Sequence, residues 1–562
     1  MIRFKTGKTR FVTAGLIVIV AVLCGMTIGF KLADQDYFFK ISKSIDIFGK
    51  VYKEVAGNYV DEVDPEKFME AGIDGMLGTL DPYTNFIDDT EGDEVELITS
   101  GKYGGIGVTI GMRDGYITIL SLMEGYSAQR QGIQPGDRIT EIDGKSVVGL
   151  KPDGIRSLTR GEAGTEVRLK IEREGEPKPL EFVLVRQEIQ LKNITYANFV
   201  GNGIAYVRLE RFARGAGDEL RLAIKNLRAK DSISCFILDL RDNPGGLLDA
   251  AVDVVQKFVP KGSLVVSTRG RKPETERKYF ATEEPMLPQT PLIVLVNRNS
   301  ASASEIVAGA IQDLDRGIIL GTRTFGKGLV QTISPLVYNT QLKMTTAKYY
   351  TPSGRCIQEI DYLHKNKDGV FAVTPDSLRK EFKTLKGRTV FELGGIHPDS
   401  TVDEAETSTL HKELLRKSMY FKFAGNFYSQ KTQTPSPFPS DKELLKSFRD
   451  YTEAQKFTYQ EEGEAKLSEL QEIASKKKYS PAVLQEIEHL KTEITKDKSA
   501  GTEYTSAEIL QALRSEIMSR YKGETGRIEA SLAGDVQLTT AKNLLSNKKE
   551  YSRRLTTKEI YR

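Results

Sequence analysis

The residue types in one stretch of the sequence suit nucleophilic catalysis. An apolar run over 291–296 (PLIVLV) is followed by alternating serines and alanines over 300–305 (SASASE), and then by apolar residues at helical spacing. A buried strand is therefore predicted to turn into a helix at the serines, where the first N–H groups of the helix have no internal partner and can stabilise an anion. Lys327 and Gln331 follow, so the stretch could supply a serine nucleophile, a lysine base and a glutamine that orients the lysine.

The same residues also fit a purely structural interpretation. Ser300 or Ser304 would then be the N-cap of the helix, and Lys327 would be a solvated loop residue. Spacing alone does not choose the nucleophile among the three serines. For lysine to act as a base, burial must lower its pKa from near 10.4 towards roughly 7–8. Histidine is a weaker candidate for the base, because all four histidines lie outside the stretch: His364, His397, His411 and His489.

The spacing of the lysine and the glutamine raises a geometric question. In a straight strand, Lys327 and Gln331 would be about 13 Å apart at ~3.3 Å per residue, and their side chains would not meet. Either Gly326 and Gly328 allow a bend in the chain, or Gln331 has another role.

Three motifs carry a family resemblance: SASASE over 300–305, TFGKG over 324–328, and Gln331. Together they resemble the catalytic signature of the C-terminal processing peptidases, also called tail-specific or carboxy-terminal proteases. The resemblance implies a serine endopeptidase that hydrolyses peptide bonds by a Ser/Lys acyl-enzyme mechanism. It assigns the nucleophile to Ser302, the general base to Lys327 and the orienting role to Gln331.

The loop RDNPGG over 241–246 joins a predicted strand to a predicted helix. Two successive glycines let backbone N–H groups approach a substrate closely. By the resemblance, one oxyanion donor is the N–H of Gly245 or Gly246, and the other is the N–H of Ala303. An ordinary strand-to-helix turn is the alternative. No metal or other cofactor is implied.

Residues 189–410 alternate between strand and helix patterns, as in the strands IAYVRL over 204–209 and CFILDL over 235–240. This alternation predicts an α/β core. The resemblance identifies the segment as a serine protease core with a crotonase-like fold of repeated ββα units. We therefore expect a multidomain protein that combines α/β and α+β parts.

Residues 99–188 have the pattern of short strands separated by turns. GGIG over 104–107 and the segment over 127–137 resemble a PDZ domain of the bacterial protease type. Successive glycine N–H groups can bind a terminal carboxylate, and the edge of the following strand can pair with an extended peptide. A helix over 153–159 would form the other wall of the groove. The residues expected to bind the peptide are Gly104, Gly105, Ile106, Gly107, Val108, Ile110, Ile155 and Leu158. A β-domain used only for packing is the alternative.

Arg160 ends the predicted groove helix. It resembles an arginine by which PDZ domains of this family contact the protease core, which implies that a bound tail gates the distant active site. A solvated cation at the end of a helix is the alternative.

The N-terminal segment carries a membrane signal. Residues 1–10 contain four cations and no acid, and residues 11–30 contain no charge. Twenty such residues can span a bilayer, and the basic flank predicts a cytoplasmic N-terminus. We therefore predict a signal-anchor within 1–34, with a cleaved signal peptide as the alternative. The remaining chain is expected in the cell envelope, either anchored in the inner membrane and facing the periplasm, or exported. Residues 35–98 are predicted to be mainly helical, and LDPYT over 80–84 resembles an element of the same family. The resemblance implies that these helices cap the protease domain and pair subunits in a homo-oligomer.

Composition narrows the choice of partners. The chain has 562 residues, 39% of them hydrophobic, and a net charge of +3, which gives no reason to expect a nucleic acid partner.

Residues 411–562 are predicted to be a charged helical region with apolar stripes that need partners in this region or in another subunit. By the family resemblance, the expected partners are protein substrates with apolar C-terminal tails. The alternative functions are a PDZ peptide-binding module on a non-catalytic protease-like scaffold and an acyl-CoA enzyme of the crotonase type.

Overall fold

The computed structural model describes residues 36–88, 92–150, 152–365, 371–373, 379–403, 407–430, 433–500 and 507–556. The predicted membrane segment over 11–30, and the 1–34 region that contains it, lie outside the described residues. Among the helices that are described, none combines the length and the apolar composition needed to cross a bilayer. The chain divides into two compact units, one that ends at Phe86 and one that begins at Ile87.

The first unit contains two packed helices, α1 over 36–58 and α2 over Pro65–Leu77. Asp64 caps α2 by accepting hydrogen bonds from the first N–H groups of the helix. The two helices meet through aromatic rings, since Tyr52 stacks on Phe68 with 5.3 Å between the ring centroids. The helical character predicted for this segment is confirmed. The strand β1 (Asn85–Ile87), the helix α3 (Gly92–Ser100) and the strand β2 (Lys102–Gly105) follow along the chain.

A small β-domain comes next. Its sheet has the strand order β3-β4-β5-β7-β8, with β6 paired to β5: β3 (Val108–Arg113), β4 (Tyr116–Leu122), β5 (Arg138–Ile142), β6 (Lys145–Ser146), β7 (Glu166–Glu172) and β8 (Leu180–Val185). Two helices accompany the sheet, α4 (Ser127–Arg130) and α5 (Pro152–Thr159). Val167, Leu169 and Ile171 are buried because β7 turns every second side chain towards one core. The strand β9 (Gln187–Gln190) then pairs antiparallel with β2.

The α/β part of the chain has fourteen strands and three α-helices among its described residues. The strands are β10 (Ile194–Phe199), β11 (Ile204–Leu209), β12 (Cys235–Asp239), β13 (Leu264–Gly270), β14 (Arg277–Phe280), β15 (Leu292–Val296), β16 (Ile318–Gly321), β17 (Leu329–Pro335), β18 (Gln341–Tyr350), β19 (Ile360–Lys365), β20 (Phe371–Val373), β21 (Glu381–Lys383), β22 (Thr389–Phe391) and β23 (Ser400–Thr401). The helices are α6 (Ala216–Lys230), α7 (Leu248–Val255) and α8 (Ala303–Asp313).

The central sheet has the order β10-β11-β12-β15-β16-β23. All its neighbouring strands are parallel except β10, which pairs antiparallel with β11. In a second sheet, β18 pairs antiparallel with both β17 and β13, and β14 pairs with β13. Parallel strands connected through helices confirm the α/β core that the sequence predicts.

The C-terminal region is helical, as predicted. Its helices are α9 (Thr409–Arg416), α10 (Met419–Gln430), α11 (Asp441–Ala454), α12 (Glu462–Lys476), α13 (Pro481–Ala500), α14 (Ala507–Leu532), α15 (Val536–Ser546) and α16 (Lys548–Thr556). Some of these helices contact the β-domain, because Lys422 forms an ion pair with Asp114 at 2.8 Å and Arg520 donates to the carbonyl of Pro135 at 2.6 Å.

The two faces of the central sheet are covered by different helices. Phe236 and Leu238 on β12 pack in one core with α6, α7 and α8. Ile237, between them, points to the opposite face and belongs to a second core with residues of α14, α15 and α16. The Tyr551 hydroxyl reaches the start of β15, where it donates to the carbonyl of Leu292 at 3.0 Å. The apolar stripes of the C-terminal helices thus find a partner within the same chain.

Candidate active site

Two of the three serines in the 300–305 motif have structural hydroxyls. The hydroxyls of Ser300 and Ser304 donate to main-chain carbonyls of the segment over 240–243, at 2.8 and 2.9 Å. Both serines are fully buried, whereas Ser302 is only half-buried. The outer serines therefore hold the motif against the neighbouring loop, and Ser302 is the one that solvent can reach.

Ser302 is the N-cap of α8. The structural interpretation that gave this position to Ser300 or Ser304 is wrong, because their hydroxyls are used elsewhere. The backbone of Ser302 has φ 55° and ψ −113°. A positive φ is costly for a residue other than glycine and persists only where the surroundings enforce it. Such a turn between a strand and a helix is a known way to present a nucleophile.

Glu305, the last residue of the motif, is fully buried and accepts four hydrogen bonds. Its Oε2 accepts from the N–H groups of Ser302 and Lys327, each at 2.9 Å. Its Oε1 accepts from the N–H of Gly326 at 2.7 Å and from the hydroxyl of Thr324 at 2.6 Å. Burial raises the pKa of Glu305 to about 7, although these four bonds act in the opposite direction. The carboxylate therefore joins the serine motif directly to the TFGKG loop.

A second buried side chain, Tyr349 of β18, also contacts Ser302 and Lys327. Its hydroxyl oxygen lies 3.1 Å from the carbonyl oxygen of Ser302 and 2.5 Å from that of Lys327. The hydroxyl has one proton to donate, so the two carbonyls share it. Burial raises the pKa of Tyr349 well above its usual value, and the charge of Glu305 acts in the same direction. The phenol therefore stays protonated and remains a donor.

Lys327 lies in the loop before β17 and is half-buried. The three residues expected to give Lys327 apolar surroundings differ in how exposed they are to solvent. Leu329 is buried and Val330 packs against the core, whereas Phe325 is 43% exposed. The apolar surroundings of the loop are therefore provided by Leu329 and Val330 of β17, and Phe325 contributes less to them.

Gln331 lies within β17, and its Nε2 donates to the hydroxyl of Thr345 on β18 at 3.3 Å. The chain does bend near Lys327, since Gly326 has φ 86°. A second irregularity, a shift of the ladder register, falls between Val330 and Gln331. The chain thus departs from a regular strand on both sides of the lysine, but an orienting contact of Gln331 stays a prediction.

The loop over 241–246 lies against the start of α8. A Cβ on Gly245 would lie 2.8 Å from the Cβ of Ser302 and 2.9 Å from the nitrogen of Ala303, so only glycine permits this approach. Gly245 also has φ 101°, which favours glycine. Its N–H donates to Oδ1 of Asn243 at 2.8 Å. The N–H of Gly245 is therefore engaged within the loop.

Gly246 forms an isolated parallel bridge with Phe212. A Cβ at Gly246 would lie 2.4 Å from the carbonyl oxygen of Phe212, so this position also requires glycine. The N–H of Phe212 donates to the carbonyl of Gly245 at 3.1 Å, and the N–H of Leu247 donates to the carbonyl of Phe212 at 2.7 Å. The glycine pair is thus fixed by the segment that follows β11.

The predicted peptide-binding residues fall into different environments. Gly104 and Gly105 belong to β2 and pair with β9, so half of the predicted carboxylate loop is a strand. Gly107 has φ 79° and forms the turn into β3. Val108 and Ile110 lie on β3, which is an edge strand of its sheet, as the groove prediction requires.

Two of these residues do not face a groove. Ile106 and Ile155 are 2% and 0% exposed and belong to the core of the β-domain. The prediction that Ile155 faces a ligand is wrong in this structure, because α5 packs that side chain inwards. Leu158, one turn further along α5, is only partly buried and packs against the same core.

The guanidinium of Arg160 stacks on the ring of Tyr103 in β2, with 4.8 Å to the ring centroid. Burial raises the pKa of Tyr103, while the charges of Arg160 and Arg211 lower it. Arg211 comes directly before Phe212, the residue that holds the glycine pair. Arg160 is thus more than a solvated cation at the end of a helix.

Four protein-family models match successive parts of the chain. They are the "Activating protease CtpB N-terminal domain" over 32–91, a PDZ domain over 118–173, peptidase family S41 over 203–376, and the "Probable PDZ-protease, C-terminal helical domain" over 410–545. A carboxy-terminal-processing protease of Bartonella bacilliformis is 42% identical over 321 residues, which are 57% of this chain and 73% of the relative. The chain belongs to peptidase family S41.

Other S41 relatives agree with this assignment. The carboxy-terminal processing protease CtpB of Bacillus subtilis is 32% identical over 320 residues, covering 56% of this chain and 66% of the relative. CtpA of the same organism is 32% identical over 378 residues, covering 67% and 78%. The S41 protein is therefore a serine-type peptidase with a PDZ domain and helical domains at both ends, and the family resemblance drawn from the motifs is confirmed.

Sequence reasoning did not assign roles to three buried residues of this S41 site: Asn243, Glu305 and Tyr349. A signal existed for one of them. Ser302 and Glu305 have the spacing of a capping box, in which the glutamate reaches back to the N–H of the N-cap. Asn243 bonds within its own loop and to the carbonyl of Leu209, and Tyr349 bonds to main-chain carbonyls that are distant in sequence. Neither set of contacts is among the predictions from the sequence.

Proposed function

We propose that this S41 peptidase cleaves exported proteins that carry apolar C-terminal tails, through an acyl-enzyme formed on Ser302. The observation that carries the proposal is the position of Ser302. It is the half-buried N-cap of α8, and the carboxylate of Glu305 binds both its N–H and that of Lys327. The half-buried Ser302 and the only basic side chain of the TFGKG loop thereby come from adjacent main-chain segments.

In the proposed reaction, the Ser302 hydroxyl oxygen attacks the scissile carbonyl carbon while the neutral amine of Lys327 takes the hydroxyl proton. Lys327 then gives this proton to the leaving amine as the C–N bond breaks, which leaves an ester on Ser302. Water attacks the ester with Lys327 again as the base, and Ser302 regains its proton. Gln331 has the role of orienting Lys327 in this scheme.

The developing oxyanion is bound by backbone N–H groups, which is typically a large electrostatic contribution to catalysis. One donor is the N–H of Ala303 at the start of α8. For the other we propose Gly246 over Gly245, because the N–H of Gly245 already donates to Asn243. Gly245 contributes instead by lacking a Cβ, which allows the loop to approach Ser302.

The tail of the substrate binds as an added strand on the free edge of β3, beside Val108 and Ile110, with Leu158 on the opposite wall. The place of β3 at the edge of its sheet and the turn at Gly107 support this location. Arg160 links the tail-binding domain to the protease core through Tyr103, which lies near Arg211. We propose that tail binding shifts this contact and so gates the active site.

The domain boundaries are proposed at 1–34, 35–98, 99–188, 189–410 and 411–562. We propose that 189–410 has a crotonase-like fold and that the uncharged run over 11–30 places the protein in the cell envelope. Protease added to intact spheroplasts should then digest the portion after residue 35. Protection of that portion until the membrane is opened contradicts the proposed location.

The test of function uses a folded reporter protein with an apolar C-terminal tail and the same reporter with a tail that ends in acidic residues. The wild-type enzyme should process the apolar reporter faster, and Ser302→Ala should process neither. Ser304→Ala is the matched control within the motif, and it should retain activity while it loses stability, because its hydroxyl is structural. Cleavage by Ser302→Ala, or its loss in Ser304→Ala with the fold intact, contradicts the assignment of the nucleophile. Tail binding without any cleavage by the wild type would instead indicate a binding module.

A further inference from the structure

Two buried side chains bind the main-chain N–H and C=O groups of the proposed nucleophile and of the proposed base. Glu305 accepts hydrogen bonds from the N–H of Ser302 and the N–H of Lys327. The hydroxyl of Tyr349 is shared by the carbonyl of Ser302 and the carbonyl of Lys327. Each of the two residues is therefore held at its N–H by one side chain and at its C=O by another.

We propose that Glu305 and Tyr349 are positioning residues that together set the separation of Ser302 and Lys327. We call this pair the Glu305–Tyr349 bracket. The inference rests on the proposed roles of Ser302 and Lys327 and adds to them the contacts that hold the two main-chain segments at a fixed separation. Proton transfer requires heavy atoms about 2.6–3.2 Å apart, and a misplacement of about 1 Å can cost roughly a hundredfold in rate.

The Glu305–Tyr349 bracket holds the backbone of Ser302 in a strained conformation. A φ of 55° with a ψ of −113° is a conformation that serine adopts only when its surroundings enforce it. The N–H and the C=O of Ser302 are both bound by the bracket, so its two peptide planes cannot rotate independently. Loss of either side chain frees one of the two planes.

The bracket also connects elements that are distant in sequence. Glu305 lies on α8, whereas Tyr349 lies on β18, and the N–H of Tyr349 donates to the carbonyl of Gly328 at 3.0 Å. The loop that carries Lys327 is thus fixed from α8 on one side and from β18 on the other. Both bracket side chains are fully buried and do not face solvent. Their loss should therefore change the rate of the chemical step and leave substrate binding nearly unchanged.

The test compares Tyr349→Phe with Tyr551→Phe. Both variants lose one buried hydroxyl that bonds to the main chain, but Tyr551 lies on the opposite face of the sheet, against Leu292. We expect Tyr349→Phe to lower kcat roughly tenfold with KM within about twofold, since one shared hydrogen bond is lost. The rate of covalent labelling of Ser302 by a fluorophosphonate should fall in parallel. Tyr551→Phe should lower the melting temperature while kcat and the labelling rate stay at the wild-type values.

Glu305→Gln is the second variant. Each carboxylate oxygen accepts from two donors, so either orientation of the amide turns its NH₂ group towards N–H or O–H donors. We expect kcat and the labelling rate to fall more than in Tyr349→Phe, again with little change in KM.

The proposal is contradicted if folded Tyr349→Phe has the kcat and the labelling rate of the wild type. It is also contradicted if Tyr551→Phe loses as much kcat as Tyr349→Phe does. Labelling with Ser302→Ala separates this failure from that of the proposed function. If Ser302→Ala is still labelled, the nucleophile itself is wrong. If it is not labelled and Tyr349→Phe behaves as the wild type, only the bracket is wrong.

Discussion

The side chain of Asn243 accepts a hydrogen bond from the N–H of Gly245 at 2.8 Å and donates one to the carbonyl of Leu209 at 2.7 Å. This fully buried amide fixes the glycine pair that lies against Ser302. It acts from within the loop, so it would shape the proposed oxyanion hole without contributing a donor to it.

We predict that Asn243→Ala lowers kcat with little effect on KM, because the loop then loses the contact that orients Gly245 and Gly246. The loss should be about tenfold to a hundredfold, at or below the 10²–10³ that removal of an oxyanion donor costs. Steady-state kinetics on an apolar-tailed reporter measures the effect. Asn299→Ala is a matched control, because the exposed Asn299 also bonds to this loop through Asp242. Equal losses in the two variants would count against a specific role of Asn243.

The second prediction concerns Glu305 and the pH dependence of stability. Burial raises its pKa from 4.5 in the unfolded chain to about 7 in the fold. The folded protein thus holds the proton more tightly, so the stability contributed by this group is present below about pH 4.5 and is lost as the pH rises through about 7.

Thermal melting of the wild type and Glu305→Gln between about pH 5 and pH 8 measures this contribution. The wild-type melting temperature should fall more steeply with rising pH than that of the variant, which has no group to titrate at this position. Tyr349, whose pKa is raised by burial and by the charge of Glu305, stays protonated over this range. Equal slopes in both proteins would show that Glu305 ionises normally in the fold.

The third prediction concerns the C-terminal helices. Leu538 on α15 is 3% exposed and packs on the central sheet, whereas Val536 on the same helix is 60% exposed. Leu538→Ala should lower the free energy of unfolding by about 2–5 kcal/mol, since it leaves a cavity in the second core. Val536→Ala should change it by less than about 0.5 kcal/mol. Chemical denaturation measures both, and a small effect of Leu538→Ala would indicate that the sheet does not need this cover.

The fourth prediction tests gating through Arg160. An apolar C-terminal peptide, supplied separately, should accelerate cleavage of a tail-less substrate by the wild type. Arg160→Ala should lose this acceleration with peptide binding near normal, because the stacking on Tyr103 is gone. Arg138→Ala is the matched control, since Arg138 stacks on Tyr116 at 5.0 Å within the β-domain. If the peptide binds but does not change the wild-type rate, the PDZ domain only binds the substrate and does not gate the active site.

The sequence predicts the parts of this fold that depend on local patterns. The change from β15 to α8 follows from an apolar run, a set of small residues and helical spacing, and all three are visible within 25 residues. The strands of the PDZ domain and the helical character of both ends are likewise local properties.

The contacts that organise the site are not local. Tyr349 is distant in sequence from Ser302, and its hydroxyl reaches both the SASASE and the TFGKG segment only because β18 pairs with β17. Ile155 shows the same limit, because its place on α5 is visible in the sequence, whereas the face of the helix that packs inwards depends on the whole domain. The packing of α15 on the central sheet was not predictable either, since an apolar stripe on a helix does not indicate which surface it packs against.

The most direct test of the proposed catalytic pair is intact-protein mass spectrometry after incubation with a fluorophosphonate, followed by peptide mapping. In the wild type, one adduct should form and map to Ser302. In Lys327→Arg the adduct should be nearly absent although the protein is folded, because a guanidinium keeps its charge and its proton near neutral pH and cannot act as the base. An adduct on Ser300 or Ser304, or wild-type labelling and turnover in Lys327→Arg, would contradict the assignment of Ser302 as nucleophile and Lys327 as base.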